Sequence, residues 1–372
     1  MAKNRAHFDV IVNGSNLSGL LIAYHWAKQG KSVLVLEEMD DIGRTHYSPS
    51  ADHEIFKSSL ELLPSIEGTL ESVQWAESLF DQPMLQPSFE QTVKTYKDAK
   101  HRDFVGFGDI KFQSADDLHW FSQSKVQHFS VSPWELIERI LDFESIEVAA
   151  LSKVNKYNSK DGRVESVTVN STKTFSADLF YHCEPLFILD RMMTDNKVLT
   201  GKEKTAFSKT EGWTLASLQL IHRGQVSEDF SAHIFHGSKN DFEPMVGRFF
   251  PAEGDETKVQ ASIWETFIHP ESAEDMEYIG GSIRNMKKIL KRAFPECIDD
   301  ETSEKIQVTP NGVGRNQGVI AEPHRIQRLE NLVPASPLTS EQKDLGAFFE
   351  AAKGDVEISK DLLEAGEIEA DQ

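Results

Sequence analysis

A six-residue turn near the start of the chain has the composition of a phosphate-binding loop. It consists of Gly14, Ser15, Asn16, Leu17, Ser18 and Gly19. In the pattern G-x-G-x-x-G, the first glycine permits a tight turn and the third lets a helix pack closely on a strand. Asn16 occupies the middle position, where glycine lets the backbone approach a diphosphate. Asparagine tolerates left-handed backbone angles better than most residues, so we expect the loop to keep its path.

An acidic pair stands where a dinucleotide-binding protein would hold a ribose. Glu37 lies eighteen residues after Gly19, at the end of an apolar run, and Glu38 follows it. This is close to the spacing of an acid that hydrogen-bonds a ribose hydroxyl. An acid at this place favours a free 2′-hydroxyl over a 2′-phosphate. The turn and the acid together predict a bound dinucleotide.

The stretches around these residues are typical of a strand, a helix and a second strand. Asp9–Val12 and Ser32–Glu38 contain apolar runs of the kind that are buried on both faces of a parallel sheet. Between them, apolar residues recur at helical spacing from Leu17 onward, and Gly30 supplies a stop. This βαβ unit predicts an α/β fold with a Rossmann-like domain and a right-handed crossover.

The composition is that of an acidic globular protein. Its 372 residues suffice for one large or two modest domains, and 39% are hydrophobic and 27% charged. The formal net charge of −21 argues against binding to nucleic acid or anionic lipid surfaces. No apolar run reaches the roughly 18 residues of a membrane-spanning helix, and no signal sequence is recognised, so we expect a cytoplasmic location. The two cysteines indicate no disulfide framework, and no metal site is predicted.

Three separated stretches resemble the superfamily of flavin-dependent amine oxidases, protoporphyrinogen oxidases and phytoene desaturases. The first is the βαβ unit followed by Ile42, Gly43 and Arg44, which match the family's I-G-G-[RK] turn with one glycine absent. By this resemblance the turn continues along the diphosphate of FAD, to which a guanidinium offers paired donors. The second stretch, 131–185, is similar to the family's central cofactor segment. The resemblance places Val154 where the backbone meets the adenine.

The third stretch, 328–364, resembles the closing strand and helix of that family. Gly346 and Ala347 fit a helix whose N-terminal dipole would face the flavin. The family's Gly-Asp pair, which holds the ribityl–phosphate arm, is absent, and Ala335 and Ser336 stand there instead. Ser336 could donate a hydrogen bond, although it cannot reproduce the role of the acid.

The resemblance implies two interleaved domains. A Rossmann-like FAD-binding domain, with a central parallel sheet and a β-meander, would comprise residues 1–59, 131–189 and 306–372. An inserted α+β substrate domain would comprise residues 60–130 and 190–305. Four strand-like runs in the second of these segments indicate an antiparallel sheet.

The leading hypothesis is an FAD-dependent oxidoreductase of the amine oxidase or phytoene desaturase type. By resemblance it would remove hydride from a small amine or lipophilic substrate onto flavin N5, and no motif identifies its catalytic residues. The alternative is a non-catalytic, cofactor-poor binding protein, since the Rab GDP-dissociation inhibitors resemble the same fold. Asn16, the single Gly43 and the Ala335-Ser336 pair favour this alternative. An NAD-dependent enzyme is a third hypothesis. It does not explain why the stretches 131–185 and 328–364 resemble flavoproteins.

Overall fold

The computed structural model gives the secondary structure of most of the chain. It describes residues 7–43, 62–195, 197–237, 242–252, 259–298, 302–320 and 325–370. The helices of these stretches are α1 (Leu17–Lys28), α2 (Glu67–Phe80), α3 (Ala115–Leu118), α4 (Pro133–Leu141), α5 (Leu189–Met192), α6 (Gly201–Phe207), α7 (Met276–Ala293) and α8 (Asp344–Ala370). The predicted Arg44 lies outside the described residues.

Three sheets are formed by the strands of the described stretches. These strands are β1 (His7–Asn13), β2 (Val33–Leu36), β3 (Leu62–Pro64), β4 (Phe89–Glu90), β5 (Lys94–Lys97), β6 (Lys100–Asp103), β7 (Lys125–His128), β8 (Ile146–Ala149), β9 (Val154–Lys160), β10 (Arg163–Val169), β11 (Lys173–His182), β12 (Trp213–Arg223), β13 (His233–Phe235), β14 (Met245–Phe249), β15 (Val259–Ile268), β16 (Ser303–Val313) and β17 (Leu332–Pro334). The smallest sheet has the order β3-β7-β4 and is antiparallel.

The first sheet is the predicted parallel sheet with its β-meander. Strands β8, β2, β1, β11 and β17 lie side by side in this order and are parallel. The other half of β11 pairs antiparallel with β10, which pairs antiparallel with β9. Because three separate stretches of sequence supply these strands, their convergence confirms the α/β fold with a Rossmann-like domain.

Alternate residues of the central strands bury opposite faces of the parallel sheet. Val10 and Val12 of β1 pack with α1, α2 and α8 in one apolar cluster. Ile11 of the same strand belongs to a second cluster, with Leu34 of β2 and Phe180 of β11. An apolar run without polar alternation is required where helices or loops cover both faces of a sheet. This explains why the centre of β1 (Val10–Val12) and all of β2 are apolar.

The second large sheet contains the four strand-like runs predicted in the segment 190–305, which form β12, β13, β14 and β15. Its order is β16-β12-β15-β14-β13-β5-β6, and its neighbours are antiparallel except for β13 and β5. Trp264 is fully buried, with its ring 5.6 Å from that of Phe235 and 5.4 Å from that of Phe249. β16 crosses the predicted domain boundary at residues 305 and 306 and pairs with β12. The division into domains stays a prediction.

Every helix in the described part of the chain is too short or too polar to span a membrane.

Candidate functional site

A cleft of about 380 Å³ opens at the carboxyl ends of the parallel strands. It lies between the ends of β2 and β11 on one side and the end of β16 on the other, beside the first turns of α1 and α8. Its described lining includes Asn16, Glu37, Glu184, Ser336, Ala347 and Phe348. Small-molecule pockets have volumes of about 300–1,000 Å³, and open α/β sheets bind ligands at the carboxyl ends of their strands. The cleft therefore lies where the sequence predicted a dinucleotide.

Residues 14–19, here called the phosphate turn, connect β1 to α1. Gly14 has a φ of +101°, a conformation that favours glycine, and its amide donates to the Leu36 carbonyl at 2.9 Å. Asn16 is the N-cap of α1 with φ −60° and ψ 166°, which is extended backbone. Asn16 does not need the left-handed conformation that asparagine tolerates, because Gly14 supplies the positive φ of this turn. The missing glycine does not change the path of the loop.

The side chain of Asn16 is bonded entirely to the protein. Its Oδ1 accepts hydrogen bonds from the Gly19 amide at 3.1 Å and from the Ser18 hydroxyl at 2.7 Å. Its Nδ2 donates to the Cys183 carbonyl at 2.7 Å, at the end of β11. Asparagine is among the best N-cap residues because its oxygen satisfies a free amide of the first helical turn. Asn16 thus fixes the start of α1 to β11, and its bulk stays on the wall of the cleft.

Glu37 is held in place by the phosphate turn. Its Oε2 accepts from the amide of Ser15 at 2.9 Å and from the Ser15 hydroxyl at 2.7 Å, and its Oε1 accepts from the Met39 amide at 2.9 Å. The Ser15 hydroxyl in turn accepts from the amide of Gly43, whose φ is +76°. A carboxylate has about four acceptor positions, so Glu37 can accept a further hydrogen bond from a ligand in the cleft.

Several other predicted site residues lie away from the described lining of the cleft. The carboxylate of Glu38 is half exposed and pairs with the Lys153 ammonium at 2.6 Å. Val154 is a buried residue at the start of β9, and Gly346 faces Gln342 and Trp120. Leu17 is buried in the core beneath the turn. Cofactor contacts at these four predicted positions stay predictions, whereas Ala347 of α8 does line the cleft.

Glu184 is a cleft residue that the sequence analysis missed. One of its carboxyl oxygens lies 2.7 Å from the position that a β-carbon at Gly14 would take. Burial, followed by repulsion from Glu37 and Glu38, raises the pKa of Glu184 to about 8, although Lys153 acts in the opposite direction. Its position just after β11 was the available signal, because the ends of parallel strands meet at one edge of a sheet. The raised pKa favours the protonated form of this carboxyl near neutral pH.

Ser336 supplies an unused polar group to the same cleft. Its residue exposure is 1%, and its hydroxyl has no hydrogen-bond partner among the residues that the structure describes. Buried hydroxyls are nearly always bonded, so an orphaned one beside a cleft indicates a ligand. By the resemblance, Ser336 stands where the family has its Gly-Asp pair, and its hydrogen bond to a cofactor stays a prediction.

The residues that border the cleft fit FAD provided that the Glu184 carboxyl group is protonated. The Gly14 turn, the N-terminus of α1, Glu37 and Ser336 are placed as an adenosine ribose and a diphosphate arm require. Among the described lining residues none is a lysine or an arginine. An ionised Glu184 would therefore face a diphosphate with no cation among the described lining residues, because the nearby Lys153 is paired with Glu38. The fit holds while Glu184 is protonated.

Comparison with known proteins supports the fold. Residues 12–74 match the family model described as the NAD(P)-binding Rossmann-like domain. No curated protein matches the chain in sequence. The family match begins at the last two residues of β1 and covers the phosphate turn, α1 and β2, which is most of the predicted βαβ unit.

Solved structures of oxidoreductases share the architecture over nearly their whole length. An oxidoreductase from Methanosarcina mazei is 11% identical, with a TM-score of 0.63, and the match covers 94% of this chain and 99% of that one. Cyclohexylamine oxidase from Brevibacterium oxydans is 11% identical, with a TM-score of 0.60, and the match covers 96% of this chain and 99% of that one. NikD, an amino acid oxidase essential for nikkomycin biosynthesis, is 14% identical, with a TM-score of 0.54, and the match covers 95% of this chain and 94% of that one. The similarity to flavin-dependent oxidases that the sequence analysis identified is confirmed at the level of the fold.

Proposed function

We propose that the protein is an FAD-dependent oxidoreductase that holds its cofactor in the cleft beside the phosphate turn. The observation that carries this proposal is that the phosphate turn, the end of β2 with Glu37 and the segment after β17 with Ser336 all border one cleft. The acid Glu37, bonded to the phosphate turn, and the unpartnered Ser336 hydroxyl come from opposite ends of the sequence. Dinucleotide sites in open α/β sheets are built in this way.

Each of these groups has a defined task toward the cofactor. Glu37 accepts from a ribose hydroxyl, the first turn of α1 directs its dipole at the diphosphate, and Ser336 donates to the ribityl–phosphate arm. FAD, when bound, supplies the redox chemistry by accepting a hydride. The apolar wall formed by Val313, Leu338 and Phe348 excludes water from that side of the cleft.

The apolar wall of the cleft and the shared fold support a proposal for the class of substrate. We propose a small amine or lipophilic molecule, because the described lining is largely apolar and cyclohexylamine oxidase and an amino acid oxidase share this architecture. The catalytic residues stay unassigned, since in a flavin oxidation the protein contributes mainly position and exclusion of water.

An absorbance spectrum tests the proposed function. Protein purified at neutral pH, after incubation with excess FAD and removal of the free cofactor, is expected to keep the visible absorbance of bound flavin. Reduction by a candidate amine would then bleach this absorbance. A protein that remains colourless after the same incubation would contradict the proposal.

A non-catalytic binding protein is the second candidate. The specific observation in its favour is Asn16, whose side-chain oxygen and nitrogen both hydrogen-bond to the protein at the helix N-terminus that a diphosphate would approach. In such a protein the cleft would serve another ligand. A wild-type protein that binds no FAD, together with an Asn16→Gly variant that gains no flavin absorbance, would favour this candidate, because a scaffold that has lost its cofactor is not restored by this single change.

A further inference from the structure

We propose that Glu184 is a cofactor-contacting residue that admits the FAD diphosphate only when its carboxyl group is protonated. This inference rests on the proposed function and goes further, because it assigns a proton-controlled role to a residue outside the predicted motifs. It makes binding of the cofactor dependent on pH.

The position of Glu184 carries the inference. Its carboxyl group lies against Gly14, with one oxygen 2.7 Å from the place of a β-carbon there, and it lines the cleft together with Asn16. Backbone amides at this turn are the groups that approach phosphate oxygens in dinucleotide-binding proteins. A ligand whose diphosphate lies at the turn therefore lies beside the Glu184 carboxyl group. The unpartnered Ser336 hydroxyl independently indicates that the cleft holds a ligand.

The charges around Glu184 favour its neutral form. Glu37 and Glu38 approach from the end of β2, and both oppose ionisation. Lys153, which precedes β9, favours ionisation of Glu184, but its ammonium group is paired with the Glu38 carboxylate at 2.6 Å. Burial, followed by Asp355, raises the pKa of the adjacent Cys183 thiol, so this side chain stays neutral and adds no negative charge beside Glu184. With burial, these groups raise the pKa of Glu184 to about 8.

The two protonation states act in opposite ways on a diphosphate. A neutral carboxyl group has one hydrogen to donate, and a phosphate oxygen is a strong acceptor for it. An ionised carboxylate has none and adds a negative charge beside the negative ligand. Bound diphosphate would itself raise the pKa of Glu184, so above pH 8 binding of FAD must take up a proton.

The size of the effect follows from the fraction of protein that is competent to bind. With a pKa of about 8, nearly all of Glu184 is protonated at pH 6.5 and about one tenth at pH 9, so the affinity for FAD should fall about tenfold between them. Quenching of flavin fluorescence at the two pH values measures this ratio. Calorimetric titration in buffers of different ionisation enthalpy measures the uptake of protons directly.

Variants at two glutamates complete the experiment. Glu184→Gln keeps the shape of the protonated side chain, so its affinity for FAD should change less than twofold with pH and its proton uptake at pH 9 should vanish. Glu165→Gln, an exposed residue of β10, serves as the matched control and should keep the tenfold change. The proton uptake of the wild-type protein needs no variant and so does not depend on the folding of Glu184→Gln.

The outcomes separate the inference from the function on which it rests. Equal wild-type affinities at pH 6.5 and 9, or a pH dependence that Glu184→Gln retains, would overturn the role of Glu184 and leave the flavoprotein proposal intact. Absence of FAD binding by both proteins at both pH values would overturn the proposed function and the inference with it.

Discussion

Replacing Gly19 with alanine is expected to disrupt the phosphate turn and abolish measurable FAD binding. A β-carbon at this position would overlap the carbonyl oxygen of Gly14 and would lie 3.2 Å from Val12 and 3.3 Å from the Cys183 sulfur. The nearest obstacle is backbone, so α1 must move away from β1. Overpacking of a rigid core costs about 1–3 kcal/mol, and we expect the upper end of this range. Chemical denaturation measures the loss of unfolding free energy.

A second glycine provides the control for this substitution. Gly201 is the first residue of α6, and a β-carbon there would meet nothing within 4 Å. Gly201→Ala should leave the unfolding free energy unchanged or slightly increased, because alanine restricts the unfolded chain. If Gly19→Ala were as stable as Gly201→Ala, the close contact between α1 and β1 would be wrong.

Replacing Glu37 with glutamine is expected to lower the affinity for FAD by about 10–100-fold, because hydrogen bonds to charged groups contribute about 1.5–3 kcal/mol. Oε2 of Glu37 accepts from both donors of Ser15, and an amide nitrogen in its place would face those donors without accepting. If the amide turns over, the Met39 amide loses its acceptor instead. The substitution thus removes the ribose acceptor and loosens the phosphate turn at once.

Affinity for FAD is measured for this variant by fluorescence quenching at pH 7. Glu90→Gln is the matched control, because Glu90 is an exposed residue of β4 in the smallest sheet. It should bind FAD as the wild-type protein does. Wild-type affinity in Glu37→Gln would show that the ribose does not lie at the end of β2.

The general architecture could be predicted because local signals and topology agree in this chain. The stripe from Leu17 predicts α1, and Pro133–Leu141 is helical as expected from its sequence. The hairpin between β9 and β10 turns at Asp161 and Gly162, where both residues have positive φ. Apolar runs without polar alternation predicted the buried parallel strands, and their placement side by side follows from the crossover rule.

The chemistry of the cleft could be predicted only where a motif marks it. Glu37 is recognisable from its spacing, but the hydrogen bonds that connect it to Ser15 and Gly43 depend on the tertiary structure. Glu184 belongs to no motif, and its raised pKa results from burial and from acids 146 and 147 positions earlier in the chain. The fixed side chain of Asn16 depends on the Cys183 carbonyl of another strand. Such contacts between distant segments leave no periodic signal in a sequence.

Hydrogen–deuterium exchange in the presence of FAD tests the central claim most directly, namely that the cofactor binds in the cleft beside the phosphate turn. At pH 7, saturating FAD is expected to slow amide exchange in peptides that cover residues 14–19 and 336–348. Peptides that cover β5 and β6, at the edge of the second large sheet opposite β16, should exchange at an unchanged rate. FAD binding that leaves residues 14–19 and 336–348 unprotected would contradict the account.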